Sequence, residues 1–366
     1  MRRALLAAGG TGGHIWPAVA VAQALESLDP PWRCRFVSGD RPVETEVYRA
    51  AGIGPAVFPV PPPSGGRWRT WLAMGPALLR ARRLIRRERP HVILATGGYI
   101  SAPVALAGWM ARVPTVLLEP NSIPGRVTRR LAPKVSAVAV SDPAAGERLR
   151  AKRIEVTGNP LTWSRSDLDR ETARRNLGVP ENSVCLLVVG GSQGARTLNG
   201  LVMDLLKRWA ADPPSPPVHL IWITGSGNLD GVREQVSTLD PRPSNLALFG
   251  HLWPMTEALA AADLVISRAG AGAVADLAEA GLPSILLPLP IALDDHQRAN
   301  ARRLVEAEAA VIFDERSQSG EEFASLVTAL IGDRPRRASM AEAARSVAQP
   351  DAARRVAELM VELGKS

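Results

Sequence analysis

The chain has 366 residues, 46% of them hydrophobic and 22% charged, with a formal net charge of +8. That composition excludes a disordered chain, and the length suits two domains with separate cores. The two cysteines, Cys34 and Cys185, lie far apart in strand-like apolar runs, which excludes a disulfide scaffold and fits a reduced, cytosolic protein. No apolar run nears the roughly 20 residues of a spanning helix.

In chain order, short apolar runs alternate with longer amphipathic stretches. Ala4–Ala8, Cys34–Val37, Val92–Ala95, Thr115–Leu118, Val135–Val140 and Ile154–Thr157 read as buried strands, with helices such as Ile15–Leu28 and Ser101–Ala111 between them. After the turn Gly158-Asn159-Pro160 the pattern returns, with strands at Val184–Val189, His219–Thr224, Asn245–Phe249, Leu264–Ser267, Ser284–Pro288 and Ala310–Phe313. Such alternation predicts an α/β fold of βαβ units with parallel sheets in two domains. Residues 1–160 are expected to form the first domain and 161–349 the second, and the helix within 350–366 is expected to join the first, although no sequence pattern places it there. An internal repeat supports equivalent halves: Leu5 to Gly13 matches Leu186 to Gly194 in register.

The first strand runs into Gly9-Gly10-Thr11-Gly12-Gly13-His14. Glycines there allow a tight turn and close approach of a ligand, and N–H groups at the helix start favour an anion. His14 would be kept neutral by the positive helix end and so be able to accept a proton. Gly97-Gly98-Tyr99 follows the third strand read here, and Glu119-Pro120-Asn121 the fourth. All three fall at the carboxyl edge of one sheet, where α/β folds bind ligands. Glu119 is a second acid/base candidate, and Asp40 could mimic a ribose-binding acid.

In the second half, Gly190-Gly191-Ser192-Gln193-Gly194 and Gly270-Ala271-Gly272-Ala273 are small-residue loops suited to a diphosphate, and Asp276 could accept from ribose hydroxyls. Asp295-His296-Gln297 and Asn300 add the mixed donors and acceptors a sugar requires. Asp294, Asp295 and His296 are too closely adjacent to converge on one metal, so no metal is assigned. Asp167 and Asp169 read as helix caps rather than a metal-binding pair.

Between Ser64 and Pro90 lie eight arginines against one acid, Glu88. After Pro76, read as a helix start, Leu78, Ala81 and Ile85 share one stripe, and Arg80, Arg83 and Arg87 another. With Trp68, Trp71, Leu72 and Leu79 this suits an interfacial helix on anionic lipid; it equally suits a crossover helix with its arginines in water. No nucleic-acid-binding module is present.

Taken together, Gly9–His14, Gly97 to Ser101, Glu119-Pro120-Asn121, Gly158-Asn159-Pro160, Gly190–Arg196, Arg268–Pro283 and Asp295-His296-Gln297 with Asn300 resemble the bacterial lipid II-forming N-acetylglucosaminyltransferases of glycosyltransferase family 28, nearly end to end. The resemblance implies a GT-B fold of two doubly wound, Rossmann-like domains with the two sheets facing across a cleft. It implies inverting transfer of N-acetylglucosamine from UDP-N-acetylglucosamine, a substrate rather than a cofactor, to undecaprenyl-pyrophosphoryl-MurNAc-pentapeptide on the cytoplasmic membrane face. The donor diphosphate would meet Gly191, Ser192, Gln193 and the loop Gly270, Ala271, Gly272, Ala273. Ribose would meet Asp276, uracil Leu252, and the sugar His296, Gln297 and Asn300. Thr11, Gly12, Gly13 and Asn121 would close on the donor, and the acceptor pyrophosphate would approach Gly10, Gly97, Gly98 and Tyr99. The chain departs from the family pattern at Pro120, Thr162, Ala273 and Asp276, where glutamine, arginine, threonine and glutamate are usual. Competing readings are a GT-B glycolipid transferase, a UDP-sugar epimerase, a nicotinamide-dependent oxidoreductase and a non-catalytic membrane adaptor. The oxidoreductase is disfavoured because Ile15 occupies the third glycine position of the dinucleotide fingerprint.

Overall fold

A computed structural model describes residues 2–60, 67–191, 195–290 and 293–365, with side chains left out at 67–73 and 293. The chain forms two compact units, Met1–Thr162 with Gln349–Ser366, and Trp163–Ala348. In the first unit, β1 (Arg3–Ala7), β2 (Arg33–Ser38), β3 (Ala56–Val57), β4 (Val92–Ala95), β5 (Thr115–Glu119), β6 (Ala137–Val140) and β7 (Ile154–Val156) form a parallel sheet. Its order is β3-β2-β1-β4-β5-β6-β7. In the second, β8 (Val184–Val189), β9 (Val218–Ile223), β10 (Leu246–Phe249), β11 (Leu264–Ser267), β12 (Ser284–Leu286) and β13 (Ala310–Ile312) run β10-β9-β8-β11-β12-β13. Both orders reverse direction beside their first strand, between β1 and β4 and between β8 and β11. Such switch points leave a crevice at the carboxyl edge.

Each sheet is buried on both faces, which explains the unbroken apolar runs. Along β1, Leu5 and Ala7 pack on one side and Ala4, Leu6 and Ala8 on the other. In β8, Leu186 and Val188 alternate in the same way with Cys185 and Leu187. Each buried leucine contributes about 1.5–3 kcal/mol. The last helix, Ala352–Leu363, buries Val356, Leu359 and Met360 against Ile15, Val19 and Leu25 and so belongs to the first core.

Two local expectations require correction. The helix carrying the basic segment spans Arg67–Glu88 with Pro76 inside it, so Pro76 does not start it. The two-residue β3 is not among the strands read from the sequence, although Ala56 and Val57 open the short apolar run Ala56-Val57-Phe58; pairing of Val37 with Ala56 and Ser38 with Val57 defines it. Asp169 accepts from the Thr172 N–H and Asp167 from the Ser164 N–H, and both are caps.

Candidate active site

In the first unit the loops after β1 and β4 press backbone against backbone. Gly98 has φ +74, and a Cβ there would lie 2.3 Å from the Gly9 carbonyl oxygen. At Gly97, φ +105, a Cβ would lie 2.7 Å from His14 Cε1. Only glycine admits this approach, and it seats the imidazole on the Gly97 backbone. Thr96 Oγ1 donates to the His14 carbonyl at 2.7 Å. Ser101 Oγ accepts from the Gly97 N–H at 3.0 Å and donates to Ala7 O at 3.0 Å.

His14 lies in the first turn of the Gly12–Glu26 helix. Burial lowers its pKa, opposed by the negative charge of Glu119 and by Thr96. Its Nδ1 is shielded from solvent without a hydrogen-bond partner among the described residues. A neutral imidazole held this way is equipped to take up a proton. The Gly12 and Gly13 N–H groups have no protein acceptor among the described residues, as an anion site at a helix start requires.

The Gly10 N–H, in contrast, is committed to Glu44 Oε1 at 2.7 Å. Glu44 is 4% exposed, and sequence reasoning missed it. Asp40, the acid weighed after the second strand, is exposed. Position gave the only signal: Glu44 is the third residue of the Pro42–Ala50 helix, its carboxylate turned inward beneath the glycine loop. Tyr48 supports the same loop, donating from its hydroxyl to Ala8 O at 2.8 Å. Tyr99 is exposed, with the Arg41 guanidinium 4.9 Å from its ring centroid.

Glu119 is 3% exposed and saturated. Its Oε1 accepts from the Asn121 N–H at 3.1 Å and Asn121 Nδ2 at 3.2 Å, and its Oε2 from the Gly125 N–H at 2.9 Å and Thr128 Oγ1 at 2.6 Å. Such a carboxylate folds a loop around itself.

In the second unit, Gly191 has φ +88 and is exposed; Ser192 and Gln193 lie outside the described residues. Gly270 precedes the helix Ala271–Ala280. A Cβ at Gly270 or Gly272 would meet nothing within 4 Å, and the Gly272 and Ala273 N–H groups have no protein acceptor among the described residues. This helix start is open to an anion. Asp276 lies on the same helix and accepts from Trp163 Nε1 at 3.1 Å. Burial pushes its pKa up to about 7, against the indole bond.

Asn300 Nδ2 donates to Ala269 O at 3.2 Å, and Gln297 Oε1 accepts from the Leu289 N–H at 2.9 Å. The two side chains thereby tie the helix His296–Glu306 to the loops after β11 and β12. Behind them Arg268 forms a buried pair with Glu315 at 2.6 Å. His296 opens its helix, and Leu252 packs half-buried against the core.

The residues expected to bind the membrane divide. Ala81 and Ile85 are buried, whereas Leu79, Arg80, Arg83 and Arg87 are exposed, Leu79 to 54%. Leu78 is half-buried against the core. The side chains of Trp68, Trp71 and Leu72 lie outside the described residues. Among the described residues no helix is long and apolar enough to cross a membrane.

Comparison with known proteins identifies the family. The N-terminal domain of glycosyltransferase family 28 matches residues 4–140, and its C-terminal domain residues 185–356. A UDP-N-acetylglucosamine–N-acetylmuramyl-(pentapeptide) pyrophosphoryl-undecaprenol N-acetylglucosamine transferase of Desulforudis audaxviator is 35% identical over 369 residues, covering 99% of this chain and 98% of that protein. The crystal structure of Acinetobacter baumannii MurG superposes with a TM-score of 0.76 at 26% identity, covering 99% of each chain. A UDP-GlcNAc 2-epimerase from Neisseria meningitidis gives a TM-score of 0.68 at 13% identity over 98% of this chain and 100% of that one, a likeness of fold alone. With full-length similarity at this level, the chain belongs to glycosyltransferase family 28, among the UDP-N-acetylglucosamine–N-acetylmuramyl-(pentapeptide) pyrophosphoryl-undecaprenol N-acetylglucosamine transferases.

Proposed function

We propose that this protein transfers N-acetylglucosamine from UDP-N-acetylglucosamine to the 4-hydroxyl of the muramyl residue of undecaprenyl-pyrophosphoryl-MurNAc-pentapeptide, giving lipid II and UDP. The observation that carries the reading is similarity over the whole chain to transferases of that name. Two helix starts with open N–H groups, one per unit, support it, since both substrates carry a diphosphate.

In this reading the acceptor hydroxyl attacks the anomeric carbon as the bond to the UDP oxygen breaks, inverting the centre. Negative charge grows on the departing diphosphate and is met by the Gly270–Ala273 helix start, whose fixed dipoles need no reorganisation, and by Gly191. Asp276 binds ribose, Leu252 borders uracil, and His296, Gln297 and Asn300 shape the sugar site. His14 takes the hydroxyl proton. Glu119, its oxygens spent on the loop 119–128, positions Asn121 and biases His14 rather than acting as the base. Because the Gly10 N–H is spent on Glu44, the open Gly12 and Gly13 N–H groups, which the resemblance alone assigns to the donor, face the acceptor diphosphate in this reading.

The protein works on the cytoplasmic face of the membrane, held peripherally through the exposed side of the Arg67–Glu88 helix. Leu79 with Arg80 and Arg83 offers an apolar and cationic surface to anionic lipid. Trp109 and Met110, 46% and 45% exposed, add apolar surface for the same contact.

Labelled UDP-N-acetylglucosamine offered to a polyprenyl-pyrophosphoryl-muramyl-peptide, a diacylglycerol and a sterol tests the assignment. Label should enter the first alone. Incorporation into either of the others would favour the glycolipid transferase instead.

A further inference from the structure

The second unit carries a cavity of about 400 Å³ lined by Arg165, Arg170, Arg334, Arg337 and Arg345 and by one acid, Asp263. It lies among the connections that enter β11 and β12, at Ala262-Asp263 and Gly281-Leu282-Pro283. That is the amino edge of the sheet, opposite the loops at Gly191 and Gly270. β11 alone separates the edges by about 10 Å at the strand rise. The cavity is therefore distinct from the donor site.

The charges around it do not balance. Asp263 is consumed by Arg170 at 2.6 Å and by Arg174 at 3.0 Å. Glu279 accepts from the Arg165 backbone N–H at 3.0 Å, and Asp333 caps the next helix by accepting from the Arg336 N–H at 2.9 Å. Arg337 is 9% exposed and donates to the carbonyls of Leu330 and Ile331. Burial weighs most against its charge; Asp263 and Asp333 support it, and the neighbouring Arg334 opposes it. Arg334 and Arg345 are exposed and make no side-chain hydrogen bond or ion pair among the described residues. The Arg345 stem lies over Gly281, its Cγ 2.6 Å from where a Cβ there would stand, and Gly281 has φ +68.

Like charges gathered on a concave wall repel unless an anion joins them. Guanidinium groups recognise phosphate oxygens through paired hydrogen bonds. We propose that this cavity is a second anion site, taking a phosphate or diphosphate group from a free phosphorylated molecule or a phospholipid headgroup, with Arg334 and Arg345 as its principal ligands and Arg337 at its floor.

The test uses the full chain held in saturating UDP, which fills the donor site. Inorganic pyrophosphate is titrated calorimetrically, and sedimentation is measured with phosphatidylglycerol vesicles and with phosphatidylcholine vesicles. Arg334→Ala/Arg345→Ala should weaken by roughly a hundredfold, about tenfold for each guanidinium removed from the anion, either one pyrophosphate site or the part of vesicle binding that the Arg67–Glu88 helix does not carry, with an unchanged melting temperature. A loss confined to pyrophosphate identifies a free phosphorylated ligand, and a loss confined to phosphatidylglycerol vesicles a headgroup. If the double variant binds both probes as the parent does, or the parent binds neither, the site does not exist. Because neither arm reads glycosyl transfer, the result stands apart from the assigned activity.

Discussion

Replacing Glu119 by Gln separates a loop-positioning carboxylate from a catalytic base. Glu119 takes two donors on each oxygen, one of each pair a backbone N–H, from Asn121 and from Gly125. A glutamine amide, in either orientation, points its NH2 at one of those backbone donors. Thr128 can turn its hydroxyl to accept, but a backbone N–H cannot. One charge-assisted bond is lost and one buried donor is stranded, about 2–4 kcal/mol in total. For a unit of this size that lowers the melting temperature by roughly 5–15 °C. Glu119 also raises the His14 pKa, so its neutralisation should lower that pKa further and move the acid limb of the kcat/KM profile to lower pH. Donor affinity, which the proposed reading rests mainly on the second unit, should change by no more than the loss of Asn121's positioning allows, within about threefold. The assays are a thermal melt, a pH profile and a UDP-N-acetylglucosamine titration of the same variant. An unshifted melt with turnover reduced about a thousandfold would make Glu119 the base and refute the reasoning.

Other consequences follow from the same geometry. His14→Ala should reduce kcat by about 10²–10⁴ while leaving the Kd for UDP-N-acetylglucosamine within about threefold; equal turnover would remove His14 from the chemistry. Because burial raises Asp276 to about 7, its carboxylate is lost on mild acidification. UDP-N-acetylglucosamine affinity should therefore fall as pH drops through 7, and Asp276→Asn should be weak and flat with pH. Trp163→Phe removes the indole bond that holds Asp276 down, so that dependence should move to higher pH in the same titration. His219 is buried and its pKa is lowered. On acidification the unfolded chain takes up this proton near 6.5 and the folded chain only at lower pH. His219 should thus cost stability as pH falls below about 6.5, and His219→Leu should flatten melting temperature against pH there.

What could be read from the sequence were features whose cause is local. Gly97 and Gly98 stand out because the chain must turn and close on itself there, and no other residue has the freedom. Apolar runs announce strands because both faces of each sheet are covered. The limits were equally physical. Glu119 and Glu44 are both lone acids in sequence, and only tertiary hydrogen bonds make one the hub of a loop and the other the partner of Gly10. Pro76 misleads because a proline that can begin a helix can also sit within one. The arginine cavity draws on segments near 165, 263, 281, 334 and 345, whose proximity no spacing reveals.

The product itself tests the account most directly. The protein is incubated with UDP-N-acetylglucosamine, with and without a polyprenyl-pyrophosphoryl-muramyl-peptide, and the sugar carbons are followed by NMR. The account predicts a β-linked disaccharide lipid formed in step with UDP, and an unaltered donor when the acceptor is withheld. An α linkage, or inversion at the donor's second carbon without acceptor, would contradict it.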